Sequence, residues 1–280
     1  MEHHIHFSSR KYISAATEFF VSLLILTVWP DSNVAYGQTK YKEITVTNGG
    51  TIRGTVKLNG DAGKAGRMEM TQDNKTCGKT KASPRLTVGK NLGVANTFIY
   101  IETISEGKHI ERQPAYTLNQ QRCEYLPHTM IVPLGERLEI VNSDPILHNV
   151  HAYLNAKPPK TIFNIAQPMK GLRSKTKPME KSGLVLATCD AGHPWMFAHI
   201  MVADHPYYTI TDNNGNYRLE HVPPGSYTLR LWHEGVSTTN KVMGQGKVTK
   251  YDFELPYEES RQIVVQPSGE AIADFELVLR

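Results

Sequence analysis

Two short segments of the chain carry the side chains best suited to chemistry. The first, Asn142-Ser143-Asp144-Pro145-Ile146-Leu147-His148-Asn149-Val150-His151, follows an alternating apolar run. The second, Cys189-Asp190-Ala191-Gly192-His193-Pro194-Trp195-Met196, precedes another. Together they offer an imidazole at His148, a sulfur at Cys189, a second imidazole at His193 and a thioether at Met196. Two histidines and one cysteine in a trigonal set, with a weak axial methionine, are the ligands of a mononuclear type 1 copper site. Soft sulfur stabilises copper(I) while imidazole serves both oxidation states. An ion held this way cycles with little rearrangement, which is what an electron carrier needs. Zinc is the next candidate, since cysteine and histidine also suit it, but methionine is a poor zinc ligand.

These residues must sit at strand ends to meet. Met130-Ile131-Val132-Pro133-Leu134-Gly135 reads as strand then turn, Arg137-Leu138-Glu139-Ile140-Val141-Asn142 as a strand, and Gly183-Leu184-Val185-Leu186-Ala187 as the next apolar run. Residues 197–202 form a final apolar strand. Upstream, Glu43-Ile44-Thr45-Val46-Thr47 and Thr51-Ile52-Arg53-Gly54-Thr55-Val56-Lys57-Leu58 flank an Asn48-Gly49-Gly50 turn, and Ala95-Asn96-Thr97-Phe98-Ile99-Tyr100-Ile101 is a further strand. Residues 61–92 read as a long polar loop containing Cys77. Residues 157–181 also read as loop, with four prolines and seven Lys/Arg against the single acid Glu180. Beyond His205, Asp212-Asn213-Asn214-Gly215 marks a hairpin and Val222-Pro223-Pro224-Gly225 a turn before Tyr227-Thr228-Leu229-Arg230-Leu231-Trp232. No stretch after Lys40 has helical periodicity over three turns. The expectation is an all-β chain of two β-sandwiches in tandem.

The segment from about Met130 to Asp204 resembles the cupredoxins, closest to the amicyanin and plastocyanin type. The features that carry the likeness are Gly135, the strand to Asn142, Leu147-His148-Asn149-Val150-His151, and Cys189 followed by His193-Pro194-Trp195-Met196 before the last strand. The resemblance implies a Greek-key cupredoxin β-sandwich binding one type 1 copper. His148, Cys189, His193 and the axial Met196 would be its ligands, and Asn149 would tie the first ligand loop to the cysteine loop. One departure is that three residues separate Cys189 from His193, where the amicyanin loop has two. The longer spacing matches part of the dinuclear copper loop of cytochrome oxidase subunit II. That loop needs another cysteine four residues earlier, where Val185 stands, so a dinuclear centre is excluded on ligand count. Residues 204–280 resemble the transthyretin-like, carboxypeptidase regulatory-like sandwich. That likeness rests on Thr211-Asp212-Asn213-Asn214-Gly215-Asn216-Tyr217 and Val222-Pro223-Pro224-Gly225-Ser226-Tyr227-Thr228-Leu229, turn chemistry that speaks to fold and not to ligand.

The chain has 280 residues, 40% hydrophobic and 21% charged, so disorder and fibrous repeats are disfavoured. Lys+Arg of 31 against Asp+Glu of 27 is too slight an excess for a nucleic-acid binder. Residues 1–37 read as an export signal. Arg10 and Lys11 precede the apolar run 19–29, which is well short of the roughly 20 residues that span a bilayer, and Ala35-Tyr36-Gly37 suits a signal peptidase. The expected organisation is therefore a signal over 1–37, a cupredoxin-like domain with an N-terminal β extension over 38–204, and a smaller sandwich over 205–280. The expected location is the periplasm or the exterior, with no stable membrane span after cleavage.

In an oxidising compartment Cys77 and Cys123 are candidates for a disulfide, leaving Cys189 protected by metal; a second metal site of these two with His128 is the alternative. His151 lies out of register with His148 on an alternating strand and reads as structural, and His199, His205, His221 and His233 lack close partners in sequence. The basic stretch 157–181 reads as a solvated face, with docking of an acidic redox partner as the second reading. Trp195 reads as packed against the loop and partly exposed. No Ser/His/Asp set, phosphate loop or paired-carboxylate motif is present, so an enzyme is not the first expectation. The function expected is single-electron transfer with a redox protein such as a cytochrome or dehydrogenase, and no nucleic-acid partner. The alternative is an extracellular module binding carbohydrate or protein, with a structural or storage copper.

Overall fold

The computed structural model describes residues 40–155 and 158–279, so the expected signal over 1–37 lies outside the described residues. In chain order the main elements begin with β1 (Gly50–Asn59), a one-turn helix α1 (Asn74–Cys77) and β2 (Phe98–Ile101). Next come β3 (Tyr116–Gln121), β4 (Glu124–Leu126), β5 (Thr129–Pro133), β6 (Leu138–Asn142) and β7 (His148–Leu154). They are followed by β8 (Lys160–Gln167), β9 (Arg173–Lys175), β10 (Gly183–Thr188) and β11 (Phe197–Ala203). The chain finishes with β12 (Tyr208–Ile210), β13 (Asn216–Val222), β14 (Gly225–His233), β15 (Thr238–Gly244), β16 (Lys247–Phe253), β17 (Tyr257–Val265), β18 (Glu270–Ile272) and β19 (Phe275–Val278). The all-β expectation holds, and no described helix is long and apolar enough to cross a membrane.

The larger sandwich pairs a four-stranded sheet, β9-β6-β3-β4, with a five-stranded sheet, β8-β7-β10-β11-β5. Its core forms because alternate residues of each strand point inward. Leu118, Leu138 and Ile140 from the first sheet meet Val132, Val150, Val185, Ile200 and Val202 from the second. β11 is buried at all seven positions, which a half-solvated strand would not be. Ile200 and Val202 face its own core, while Met201 packs on Phe98 and Trp232 of the other sandwich.

The smaller sandwich draws strands from both sides of the expected division at 204/205. β1, placed by sequence in an extension of the metal-binding half, pairs with β13, β18 and β19, and β2 lies between β12 and β14. Along β1, Ile52, Val56 and Leu58 are buried while Arg53 and Lys57 are exposed, so the strand has one apolar face to cover. The strands after residue 205 supply that cover: Leu229, Leu231, Ile263 and Phe275 share its core. Gly54 permits the close pairing, since a Cβ there would lie 1.9 Å from the carbonyl oxygen of Ala273. The smaller sandwich is thus built from both ends of the described chain, with the larger one inserted between β2 and β12.

Two expected loops are more ordered than their composition implies. Residues 61–92 contain α1 and a strand pair, Arg67–Glu69 with Thr80–Ala82, and bury Met68, Met70 and Cys77 against the larger core. Residues 157–181 contain β8 and β9, both edge strands. The β-forming alternation Thr161, Phe163, Ile165 outweighs the flanking prolines, because Phe163 and Ile165 give β8 apolar side chains to pack against the larger core.

Candidate metal centre

β7 and β10 are antiparallel neighbours, with His151 opposite Thr188. That register brings the start of β7, His148, level with the loop that leaves β10 at Cys189. The loop turns through Gly192, whose φ of 85° is in the left-handed region, and returns as β11. His193 therefore faces back toward His148.

The three donors converge. The Nδ1 atoms of His148 and His193 lie 3.1 Å apart, and Cys189 Sγ lies 3.6 Å from His193 Nδ1 and 4.0 Å from His148 Nδ1. An ion at the centre of a trigonal N₂S set, bonded at about 2.0 Å to nitrogen and about 2.3 Å to sulfur, needs edges of roughly 3.5 and 3.7 Å. The observed triangle fits that requirement. All three residues are buried, His148 at 0%, His193 at 1% and Cys189 at 5% exposure. Met196 is buried at the end of the same loop, its amide donating to the His193 carbonyl at 2.9 Å.

A carboxylate holds the back edge of each imidazole. His148 Nε2 donates to Asp144 Oδ2 at 2.9 Å, and His193 Nε2 donates to Asp73 Oδ2 at 2.9 Å. With Nε2 carrying the proton, each Nδ1 keeps its lone pair aimed at the triangle. Asp144 is itself fixed by the amides of Arg122 and Cys123 at 2.7 and 2.8 Å. Burial raises the affinity of Asp144 for a proton, yet His148 and those two amides outweigh it and hold the carboxyl low; His193 and Gln72 do the same for Asp73. For His148, burial opposes the charged form, but Asp144 and Cys189 outweigh it and the pKa rises.

Burial likewise works against ionisation of Cys189. The imidazoles of His148 and His193 beside the sulfur and the backbone amides of Asn149 and Ala191 prevail and pull the thiol down to about 6. The site is therefore preset to present a thiolate, the form that binds metal. The Tyr125 hydroxyl donates to the Asn149 carbonyl beside this sulfur, and burial together with Cys189 pushes its pKa well up.

Asn149 lies between the two loops. Its Oδ1 accepts from the amides of Asp190 at 2.6 Å and Ala191 at 3.2 Å, and its Nδ2 donates to Asn164 Oδ1 at 2.7 Å. His151 faces away from the triangle and meets Asp190 Oδ2 at 2.6 Å and Thr161 Oγ1 at 3.0 Å. Trp195, expected to be partly exposed, is buried at 3% and packs on His193 with ring centroids 5.3 Å apart. Cys77 and Cys123 are disulfide-bonded, which removes the alternative of a second metal site with His128. His128, and His199, which lacks a close partner in sequence, both meet the buried Glu234, which also pairs with Arg85.

Sequence reasoning missed Asp73 and the role of Asp144. Asp144 stands four residues before His148 in a turn-forming Asn-Ser-Asp-Pro, a signal that was available. Asp73 is 120 residues from His193, and nothing in the sequence links the two. The basic stretch runs alongside β7, with Gln167 opposite His148 at one end and Lys160 opposite Leu154 at the other, and its lysines gather at the end remote from the triangle. Lys160, Lys175, Lys177 and Lys181 rim a groove of about 540 Å³ floored by Leu154, Ile162, Phe163 and Met179. Leu154 is at the far end of β7 from His148, six residues or roughly 20 Å at the usual strand rise.

Comparison with known proteins gives two kinds of likeness. No curated protein matches the chain. Among solved structures, a purple cupredoxin from Nitrosopumilus maritimus is similar at 20% identity, over 31% of this chain and 99% of that one, with a TM-score of 0.27. A reduced copper(I) form of an amicyanin mutant is 18% identical over 33% of this chain and 86% of its own, with a TM-score of 0.27. A copper-containing nitrite reductase from Thermus scotoductus is 20% identical over 37% of this chain and 25% of its own, with a TM-score of 0.26. The model of the carboxypeptidase regulatory-like domain matches residues 182–256, a span that takes in β10, the loop from Cys189 to Met196 and β11 as well as strands of the smaller sandwich. The chain thus carries a carboxypeptidase regulatory-like segment at 182–256, and cupredoxins are among its structural neighbours.

Proposed function

We propose that the chain is an exported mononuclear type 1 copper protein that carries single electrons between redox partners. The observation that supports this most directly is the buried triangle of His148 Nδ1, His193 Nδ1 and Cys189 Sγ, whose edges suit one soft ion. Met196, buried in the same loop, is the axial thioether of this reading, and its softness favours copper over zinc. Copper, when bound, supplies a one-electron couple. The chain's own part is to keep the donors in one arrangement for both oxidation states. Asp144 and Asp73 fix the two rings, Asn149 fixes the cysteine loop, and the surrounding core excludes water. A disulfide between Cys77 and Cys123 accords with an oxidising compartment, the periplasm or the exterior. The partner of this reading is a redox protein such as a cytochrome or dehydrogenase.

Copper loading is expected to give an intense visible thiolate-to-copper band, and Cys189→Ser to abolish it. A copper-loaded chain lacking such a band in both forms overturns the assignment. The second reading, a binding module with structural copper, draws on the smaller sandwich, where Arg53, Thr55, Asp212, Tyr217, Arg218 and Asp274 line an open groove of about 730 Å³. Reversible one-electron titration of the bound copper favours the carrier, and copper that stays inert over the accessible range favours the module.

A further inference from the structure

The carboxylates behind the two ligand histidines come from distant parts of the chain, yet they are joined. Asp73 caps α1, and its carbonyl accepts from the amides of Thr76 and Cys77, both at 2.9 Å. Cys77, the last residue of that single turn, is bonded to Cys123. The amide of Cys123 donates to Asp144 Oδ2, the same oxygen that receives His148 Nε2. The path from one imidazole to the other therefore runs His193, Asp73, Cys77, Cys123, Asp144, His148, and the disulfide is its central covalent link.

The backbone at both ends of this path is held in a shape it would not choose freely. Asp73 has φ 50°, and Arg122 and Cys123 have φ 52° and 58°. Non-glycine residues keep left-handed φ only where the surroundings fix them. At 122–123 that shape turns two consecutive amides toward one carboxylate, a concave anion seat for Asp144. At Asp73 the neighbour Gln72 reaches the ligand loop itself, donating to the Ala191 carbonyl at 3.0 Å. Among the described residues, the segment bearing Asp73 has only short elements of its own, so its hold on the ligand loop depends on what staples it down.

We propose that Asp73, Asp144 and the Cys77–Cys123 disulfide form one frame of positioning residues that sets both ligand imidazoles, so that opening the disulfide weakens metal binding without unfolding the sandwich. This rests on the metal reading of the triangle. Residues that orient metal-bound histidines are typically worth 10- to 100-fold in metal affinity. The same loss is expected when a dithiol reductant opens the bridge. The S–S bond then breaks, two thiols form at Cys77 and Cys123, and the dithiol is oxidised to its cyclic disulfide.

The test is competition for copper(I) between the full chain and bathocuproine disulfonate, with β-sheet circular dichroism followed in parallel. Wild type is measured oxidised, dithiol-reduced and reoxidised, beside Asp73→Ala, Asp73→Asn and a Cys77→Ser/Cys123→Ser double variant. Reduction is expected to cut copper(I) affinity by about 10-fold or more with the dichroism unchanged, and reoxidation to restore it. Asp73→Ala should show a comparable loss, and Asp73→Asn, which keeps an oxygen to accept from Nε2, a smaller one. If the double variant does not fold, the reversible reduction and the Asp73 pair decide the matter. Affinity unmoved by reduction overturns the proposal while leaving the metal reading intact. A stoichiometry rising to two also overturns it, because the freed Cys123 sulfur, within 4.8 Å of its Asp144 and His148 donor neighbours, would then be recruiting metal. An oxidised wild type that binds copper(I) no better than Cys189→Ser overturns the metal reading, and this proposal with it.

Discussion

Arg85 Nη1 lies 3.0 Å from Glu234 Oε2, and both side chains are buried at the seam between the two sandwiches. Glu234 also meets the Nε2 atoms of His128 and His199, while the Arg85 guanidinium lies 3.3 Å from the Phe253 ring centroid and 4.5 Å from that of Phe197. Phe197 directly follows Met196, so this polar knot braces the end of the loop bearing Cys189 and His193 as well as the seam.

Removing one partner of a buried ion pair leaves the other charge uncompensated, at a cost of about 3–5 kcal/mol. Glu234→Ala is expected to destabilise the chain by that amount in urea unfolding. Glu234→Gln, which keeps a hydrogen-bond acceptor, should lose less. A Glu234→Ala midpoint equal to wild type would show the knot to be energetically idle.

The seam also sets an acid limit. Burial pushes His233 down from 6.5 to about 4, so it stays neutral in the fold while the unfolded chain takes up a proton near pH 6.5. Its contribution is complete above about pH 6.5 and is lost as the pH falls toward 4. A shift of that size corresponds to about 3 kcal/mol. The metal-free chain should therefore weaken steadily between pH 6.5 and 4, and His233→Phe should flatten that slope. Parallel slopes for the two proteins would place the acid sensitivity elsewhere.

Asn149 joins the start of β7 to the loop that follows Cys189, and its loss strands two amides of that loop. A fully buried group left unsatisfied costs about 1–3 kcal/mol, and because both of these amides are only part-buried their combined cost is about 1–3 kcal/mol. Asn149→Ala is expected to lower stability within that range and to broaden or shift the visible band of the copper-loaded protein. An unchanged spectrum beside a reduced stability would mean that the loop keeps its shape without the tie.

Charge on the groove rim should be silent at the triangle. Lys160 pairs opposite Leu154, roughly 20 Å along β7 from His148, beyond a screening length of about 8 Å in physiological salt. Lys160→Glu with Lys177→Glu is expected to leave the visible band and the copper potential where they are in wild type. A clear shift in the potential would reveal long-range coupling that this separation does not provide.

Much of the centre was legible because its donors obey local rules. His148, Cys189 and His193 stand at strand ends, and one antiparallel register is enough to bring them together. Asn149 was readable for the same reason, being the next residue on the same strand. Asp73 was not, since its approach to His193 depends on a disulfide between residues 46 apart and on packing of Met68 and Met70 beneath the segment. β8 was hidden by composition: its lysines and flanking prolines read as loop, while Thr161, Phe163 and Ile165 carried the period-two pattern that prevailed. The place of β1 could not be read either, because alternation says which face is buried and not which strand will cover it.

Thr55, on β1, donates to the carboxylate of Asp274 across 219 residues of sequence, from its amide at 2.8 Å and its hydroxyl at 3.0 Å. During synthesis β1 must therefore wait, one edge bare, until residues 270–278 have been made. The strands of the larger sandwich all fall between those events, so it can close on itself first and serve as the block that keeps the two late partners within reach of each other.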